Sequence, residues 1–166
     1  MAKRRKILTR RKHFYALALN PLSTVVSESK WTPGEIEEST ELHLDFEKLF
    51  NIAAGGVPVL PAVIQDSHSL EVLLIAYVDE EALRLSIREK RAVFYSTSRR
   101  EIWRKGEVSG DILYLDEIRM NCEQNSLLFL VRKGGNGVCH TKNPQGQNRQ
   151  SCYYRRVISV NTAEYV

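Results

Sequence analysis

From residue 57 onward, short apolar runs of strand length alternate with polar clusters rich in Gly, Ser, Asn and Asp. The run over 57–64 is broken by Pro58 and Pro61 and predicts an edge or irregular strand. A turn-like cluster over 65–69 separates it from the unbroken apolar run 72–78, which predicts a buried strand and a hairpin with the first. Asp79 then reads as the N-cap of a helix with Glu80 and Glu81 in its first turn and Arg88, Lys90 and Arg91 at its end, the charge order that the helix dipole favours. Ala82, Leu83, Ser86 and Ile87 offer its inner face. Further strands are predicted over 92–95, 112–115, 117–120, 127–131 and 155–160, with a flexible turn at 133–137 and a long polar loop over 142–151. Upstream, Ser39 or Thr40 caps a predicted helix bearing Leu42, Phe46, Leu49, Phe50 and Ala53 at helical spacing, and Gly55-Gly56 ends it. Residues 1–38 show no such periodicity and read as a basic tail and linker, leaving 39–166 as the folded domain.

Charge sharpens that boundary. Lys3, Arg4, Arg5, Lys6, Arg10, Arg11 and Lys12 all precede the first acid, Glu28, so a total of +4 leaves −3 for the rest of the chain. The tail therefore reads as a solvated terminus, and nucleic acid is not the expected partner. Its acid-free first 27 residues, with Ser23 and Ser27, are also compatible with an organellar transit peptide. No apolar run approaches the roughly 18 residues of a membrane span, and no secretory signal is evident, so a cytoplasmic protein is expected.

Cys122, Cys139 and Cys152 are the only thiols. Three cysteines cannot all pair within one chain, and a reducing compartment favours metal ligands, reactive groups or core filler over disulfides. Three thiolates with an open fourth position would make a catalytic zinc site, with zinc acidifying a bound water. A closed structural site would need a fourth ligand, for which His140 is the candidate, although adjacency to Cys139 makes joint ligation awkward. Spacings of 17 and 13 residues match no zinc-finger pattern and leave the choice open. A second informative stretch, 96–110, combines Arg99, Arg100, Arg104 and Lys105 with several hydroxyls, Gly106 and Gly110. That is the material of a phosphate site, and also of an ordinary solvated loop.

Several motifs carry a resemblance. Leu60-Pro61-Ala62-Val63-Ile64-Gln65-Asp66, Phe94-Tyr95-Ser96-Thr97-Ser98-Arg99, Trp103-Arg104-Lys105-Gly106-Glu107-Val108-Ser109-Gly110, Cys139-His140-Thr141 and Cys152-Tyr153-Tyr154-Arg155 occur in the order found in phosphoribosyl-AMP cyclohydrolases. The chain resembles that family from about Leu44 to Arg156. The resemblance implies a compact α+β domain with a mostly antiparallel sheet and flanking helices, working as an intertwined homodimer whose zinc sites are shared between subunits. It implies zinc on Cys122, Cys139 and Cys152, His140 as the catalytic histidine, and a purine nucleotide held by Ser96, Ser98, Arg99, Trp103, Arg104, Lys105, Ser109 and Gly110. The implied reaction is hydrolysis of the N1–C6 bond of phosphoribosyl-AMP in histidine biosynthesis.

Three departures from the family pattern stand out. Asn121, Glu123 and Asn125 occupy the places of three aspartates to which a magnesium site is attributed, so magnesium binding is expected to be weakened or changed. The loop between Cys139 and Cys152 is longer than usual, and Thr97 replaces an arginine. A divergent hydrolase acting on another purine nucleotide, and a non-catalytic nucleotide-binding protein with structural zinc, are the alternative readings.

Overall fold

A computed structural model describes residues 32–166 except His43, Asp45 and Glu47; the basic tail and the candidate transit peptide lie outside the described residues. The elements are α1 (Pro33–Glu38), α2 (Lys48–Ala54), β1 (Leu60–Asp66), β2 (Val72–Val78), α3 (Glu80–Glu89), β3 (Val93–Ser96), β4 (Glu101–Arg104), β5 (Leu113–Met120), β6 (Leu127–Lys133), β7 (Arg155–Ser159) and β8 (Thr162–Tyr165). They form one compact α+β unit, with a four-stranded sheet ordered β2-β1-β6-β5 and two hairpins, β3-β4 and β7-β8. Pairing is antiparallel throughout except between β1 and β6.

The apolar runs become the core because the strands present them to one interior. Ile64, Leu73, Val93, Phe94, Leu113, Phe129, Val131 and Val138 are almost wholly buried. Of the predicted edge or irregular strand, the edge position is overturned, since β1 is central, while a register shift against β2 between Ile64 and Gln65 makes it irregular. The parallel pairing with β6 begins at Ala62, one residue after Pro61, so the missing N–H falls outside that ladder.

Helix α3 starts where Asp79 predicts it, with Asp79 Oδ1 accepting the amide of Ala82 at 2.7 Å. Its buried residues are Ala82, Leu85 and Ser86, while Ile87 is exposed. The buried Ser86 hydroxyl accepts the amide of Val93 at 3.0 Å and can donate to the Ala82 carbonyl at 2.8 Å, fastening α3 to β3. The helix predicted from Ser39 is reduced to α2, and Leu49 and Phe50 on it are exposed.

Two hairpins were hidden from the apolar pattern. β4 is partly exposed and built from Glu101, Ile102, Trp103 and Arg104, so polarity masks its pairing with β3. β8 follows β7 after a short turn, and residues 40–42 join that hairpin through Leu42 N to Asn161 O and Ala163 N to Thr40 O. Residues 33–38, expected to be linker, form α1 and belong with the folded unit. No helix among the described residues is long and apolar enough to cross a bilayer.

Candidate functional site

Cys139 and Cys152 are brought together by the long loop between them. Its start and end are tied by the amides of Val138 and Cys139, which both donate to the Arg149 carbonyl at 2.9 and 3.0 Å, and Arg149 N returns to Thr141 O at 3.2 Å. Asn143 Oδ1 caps the tip by accepting the amides of Gln145 and Gln147. At the far end, Cys152 N donates to Leu73 O at 2.7 Å, and the Ser151 hydroxyl reaches Val72 O at 2.9 Å, so β2 holds the second thiol.

Interaction between the two thiols pulls the Cys139 pKa down to about 5 and pushes that of Cys152 up. Thr141 Oγ1, 3.1 Å from Cys139 Sγ, assists the lowering. The pair thus gives up its first proton readily and holds the second. Lys105 is buried close by; burial lowers its pKa while Asp111 and then the two cysteines oppose that shift.

Cys122 is elsewhere. It sits exposed in the turn between β5 and β6, before Leu127, whereas Cys139 follows the end of β6 at Lys133. A strand of that length rises about 3.3 Å per residue, so the two ends of β6 are about 20 Å apart. Among the described residues no three His, Cys, Asp or Glu side chains are placed to hold a metal ion.

The turn that carries Cys122 is closed by its own side chains. Asn121 Oδ1 accepts the amides of Asn125 at 2.9 Å and Ser126 at 3.0 Å, Asn121 Nδ2 donates to Asn125 Oδ1 at 2.7 Å, and Asn125 Nδ2 donates to Glu123 Oε2 at 2.8 Å. Two neutral amides and one carboxylate, with three of their oxygens already accepting N–H groups, are a poor donor set for a hard cation such as magnesium.

The candidate nucleotide-binding residues fall into two groups separated by β4, about 10 Å in length. Ser96, Ser98 and Arg99 sit at the β3–β4 turn, where Ser96 Oγ accepts the Arg99 amide at 3.3 Å and Arg99 also pairs with Glu101 at 3.0 Å. Lys105, Ser109 and Gly110 lie beyond the other end of β4. Gly106, with φ +82°, folds this segment so tightly that a Cβ there would lie 2.3 Å from the Asp111 carbonyl carbon. Ser109 Oγ accepts the Asp111 amide at 3.3 Å, and Lys105 Nζ donates to the Asp111 carbonyl at 3.3 Å.

Between the groups, Trp103 packs its ring 5.6 Å from that of Phe94. Arg104 binds Glu89 through Nη2 at 3.1 Å and Nε at 3.2 Å, and Arg104, helped by Arg91, holds the Glu89 carboxyl down to about 2. Arg104 is therefore engaged within the protein.

Several partners of the predicted site residues, Glu37, Glu38 and Arg149 among them, carried no signal in the sequence. His140, exposed beside the buried Cys139, has Glu37 Oε1 of α1 at 2.7 Å from its Nε2. Arg149 is buried, binds Glu38 at 2.7 and 3.2 Å, and lies 3.9 Å from the Tyr154 ring centroid. An open cleft of about 1310 Å³ runs past Glu38, Lys142, Arg149, Ser151, Tyr153 and Tyr154. A smaller one of about 270 Å³ places Lys48 and Asn51 of α2 opposite Thr97, Ser98 and Arg100. These residues come together only through long-range packing, which no local pattern announces.

With paired thiols beside an imidazole on an α+β scaffold, the comparisons with known proteins place the chain among enzymes. The profile of the phosphoribosyl-AMP cyclohydrolase family matches residues 74–154. The phosphoribosyl-AMP cyclohydrolase of Haloquadratum walsbyi is 41% identical over 108 residues, covering 65% of this chain and 76% of that protein. That of Archaeoglobus fulgidus is 41% identical over 99 residues, 60% of this chain and 85% of the relative. That of Rhodopseudomonas palustris is 37% identical over 123 residues, 74% of each. The chain belongs to the phosphoribosyl-AMP cyclohydrolase family.

Proposed function

We propose that the protein hydrolyses the N1–C6 bond of phosphoribosyl-AMP in the cytoplasmic histidine pathway, as a zinc-dependent homodimer. The observation that carries the assembly is the placement of the thiols. Cys139 and Cys152 form a pair, and Cys122 lies at the opposite end of β6. Three thiols converge only if Cys122 comes from a second copy of the chain. Exposed apolar side chains on β2, β7 and β8 and at the C-terminus, including Ile75, Val157, Ile158, Tyr165 and Val166, supply surface for that copy to cover.

Cys139 and Cys152 of one subunit with Cys122 of the other would hold zinc, and the readily ionised thiol pair suits a metal that binds thiolate. When bound, zinc supplies a Lewis acid that makes water a stronger nucleophile at neutral pH. The hydrolysis itself requires an oxygen from water to bond C6, the N1–C6 bond to break, and a proton to reach N1. His140, beside Cys139 and open to solvent, is the group that moves that proton. The β3–β4 turn with Ser96, Ser98 and Arg99 holds phosphate, while Trp103, Arg104, Lys105, Ser109 and Gly110 shape the wall next to the thiols.

The test is direct. Zinc-loaded protein is expected to convert phosphoribosyl-AMP to the ring-opened imidazole carboxamide, followed in the near ultraviolet, with about one zinc per chain. His140→Ala is expected to lower turnover by about 10²–10⁴-fold while zinc stays bound. Absence of turnover in zinc-replete wild-type protein would overturn the assignment.

Magnesium is dispensable in this reading, because amide-to-oxygen hydrogen bonds close the Asn121–Asn125 turn without a cation. Several millimolar magnesium is expected to leave the melting temperature within about 1 °C. The double variant Asn121→Asp/Asn125→Asp loses the bond between the two side chains and is expected to be about 1 kcal/mol less stable, recovering on addition of magnesium. A marked magnesium-dependent shift in the parent protein would contradict this.

A further inference from the structure

The geometry points to Glu37 as the positioning residue for His140, its carboxylate holding Nε2–H so that Nδ1 is left as the free base. This rests on the assignment of His140 as the proton-moving group. His140 follows Cys139, but its side chain is 76% exposed, and Glu37 Oε1 at 2.7 Å from Nε2 is the hydrogen-bond partner that the structure gives its ring. An exposed imidazole without such a partner samples several rotamers and both tautomers, and each wrong one delays proton transfer.

Glu37 is itself held in place. The Tyr154 hydroxyl donates to the Glu37 carbonyl at 2.7 Å, and Arg155 donates to the carbonyls of Ile36, at 2.9 Å, and Ser39. Arg149 clamps the next side chain, Glu38, and also donates to Thr141 Oγ1 at 3.0 Å. Thr141 follows His140, and Tyr154 lies two residues after Cys152. One network therefore fixes the backbone that carries Glu37, the segment that carries the imidazole and the segment that carries the second thiol. An isolated surface Glu–His pair contributes little to stability. Its value here lies in orientation, as for the outer partners that orient functional histidines elsewhere. Residues 33–38 lie outside the region matched by the family profile, so this partner comes from the chain's own leading segment.

The experiment uses the full-length, zinc-loaded protein. Glu37→Ala is expected to lower kcat about 10-fold or more while KM moves less than about twofold. Glu37→Gln keeps an oxygen acceptor for Nε2–H and is expected to restore most of the rate. Long-range proton–nitrogen spectra of the neutral imidazole should show His140 protonated on Nε2 in the parent and a tautomer mixture in Glu37→Ala. Wild-type kcat and an unchanged tautomer in Glu37→Ala, with His140→Ala inactive, would overturn the role of Glu37 alone. A glutamine variant as slow as the alanine one would also overturn it. Full activity of His140→Ala would instead overturn the assignment of the histidine itself.

Discussion

Chains carrying Cys122→Ser and chains carrying Cys152→Ser are each expected to lose more than about 100-fold in activity alone, beyond the usual effect of outer-shell changes. Mixed as subunits, they are expected to recover about one quarter of the wild-type rate. The arithmetic follows from the two ends of β6. In a mixed dimer one site combines the intact Cys139 and Cys152 of the first chain with the intact Cys122 of the second, while the other site is doubly impaired. Random pairing makes half of the dimers mixed, and each has one working site of two. If every site were built within one chain, no mixing could restore activity. Zinc content should follow the same pattern: low in either parent and partly regained in the mixture.

Phe94→Ala is expected to destabilise the folded unit by about 3–5 kcal/mol, the range for removing a wholly buried phenyl ring, measured by chemical denaturation. Phe94 sits with Trp103 on one side, at 5.6 Å between centroids, and Phe129 on the other, at 6.2 Å. Its loss therefore opens a cavity between the β3–β4 hairpin and the main sheet. A drop below about 1 kcal/mol would mean that Trp103 collapses into the space, and the wall beside Lys105 would move with it. Phe94→Leu, which fills most of the volume, should recover a large part of the loss.

What the sequence disclosed follows the physics of burial. Runs such as 72–78 and 127–131 announce strands because both faces are apolar, and Asp79 announces α3 because a carboxylate before a helix has one obvious use. The motifs around Trp103, Cys139 and Cys152 pointed to the family that the comparisons establish. Pro61 misled, since a proline in a strand argues for an edge unless the register places it outside the neighbouring ladder, and register is a long-range property. β4 was hidden by its polar side chains, and α1 by the lack of any apolar face. The link between Glu37 and His140 spans 103 residues, a distance over which no local rule operates.

The fastening of α1 also imposes an order on synthesis. Its clamps are Arg149, Tyr154, Arg155 and Tyr165, separated from it by 111 to 127 residues, so α1 leaves the ribosome early and finds its partners last. A nascent or truncated chain can complete the β2-β1-β6-β5 sheet while Glu37 is still unmoored. Under the role argued for Glu37, full turnover would then mark a finished polypeptide, and breakage near the C-terminus would slow the enzyme, as Glu37→Ala does, before it unfolds.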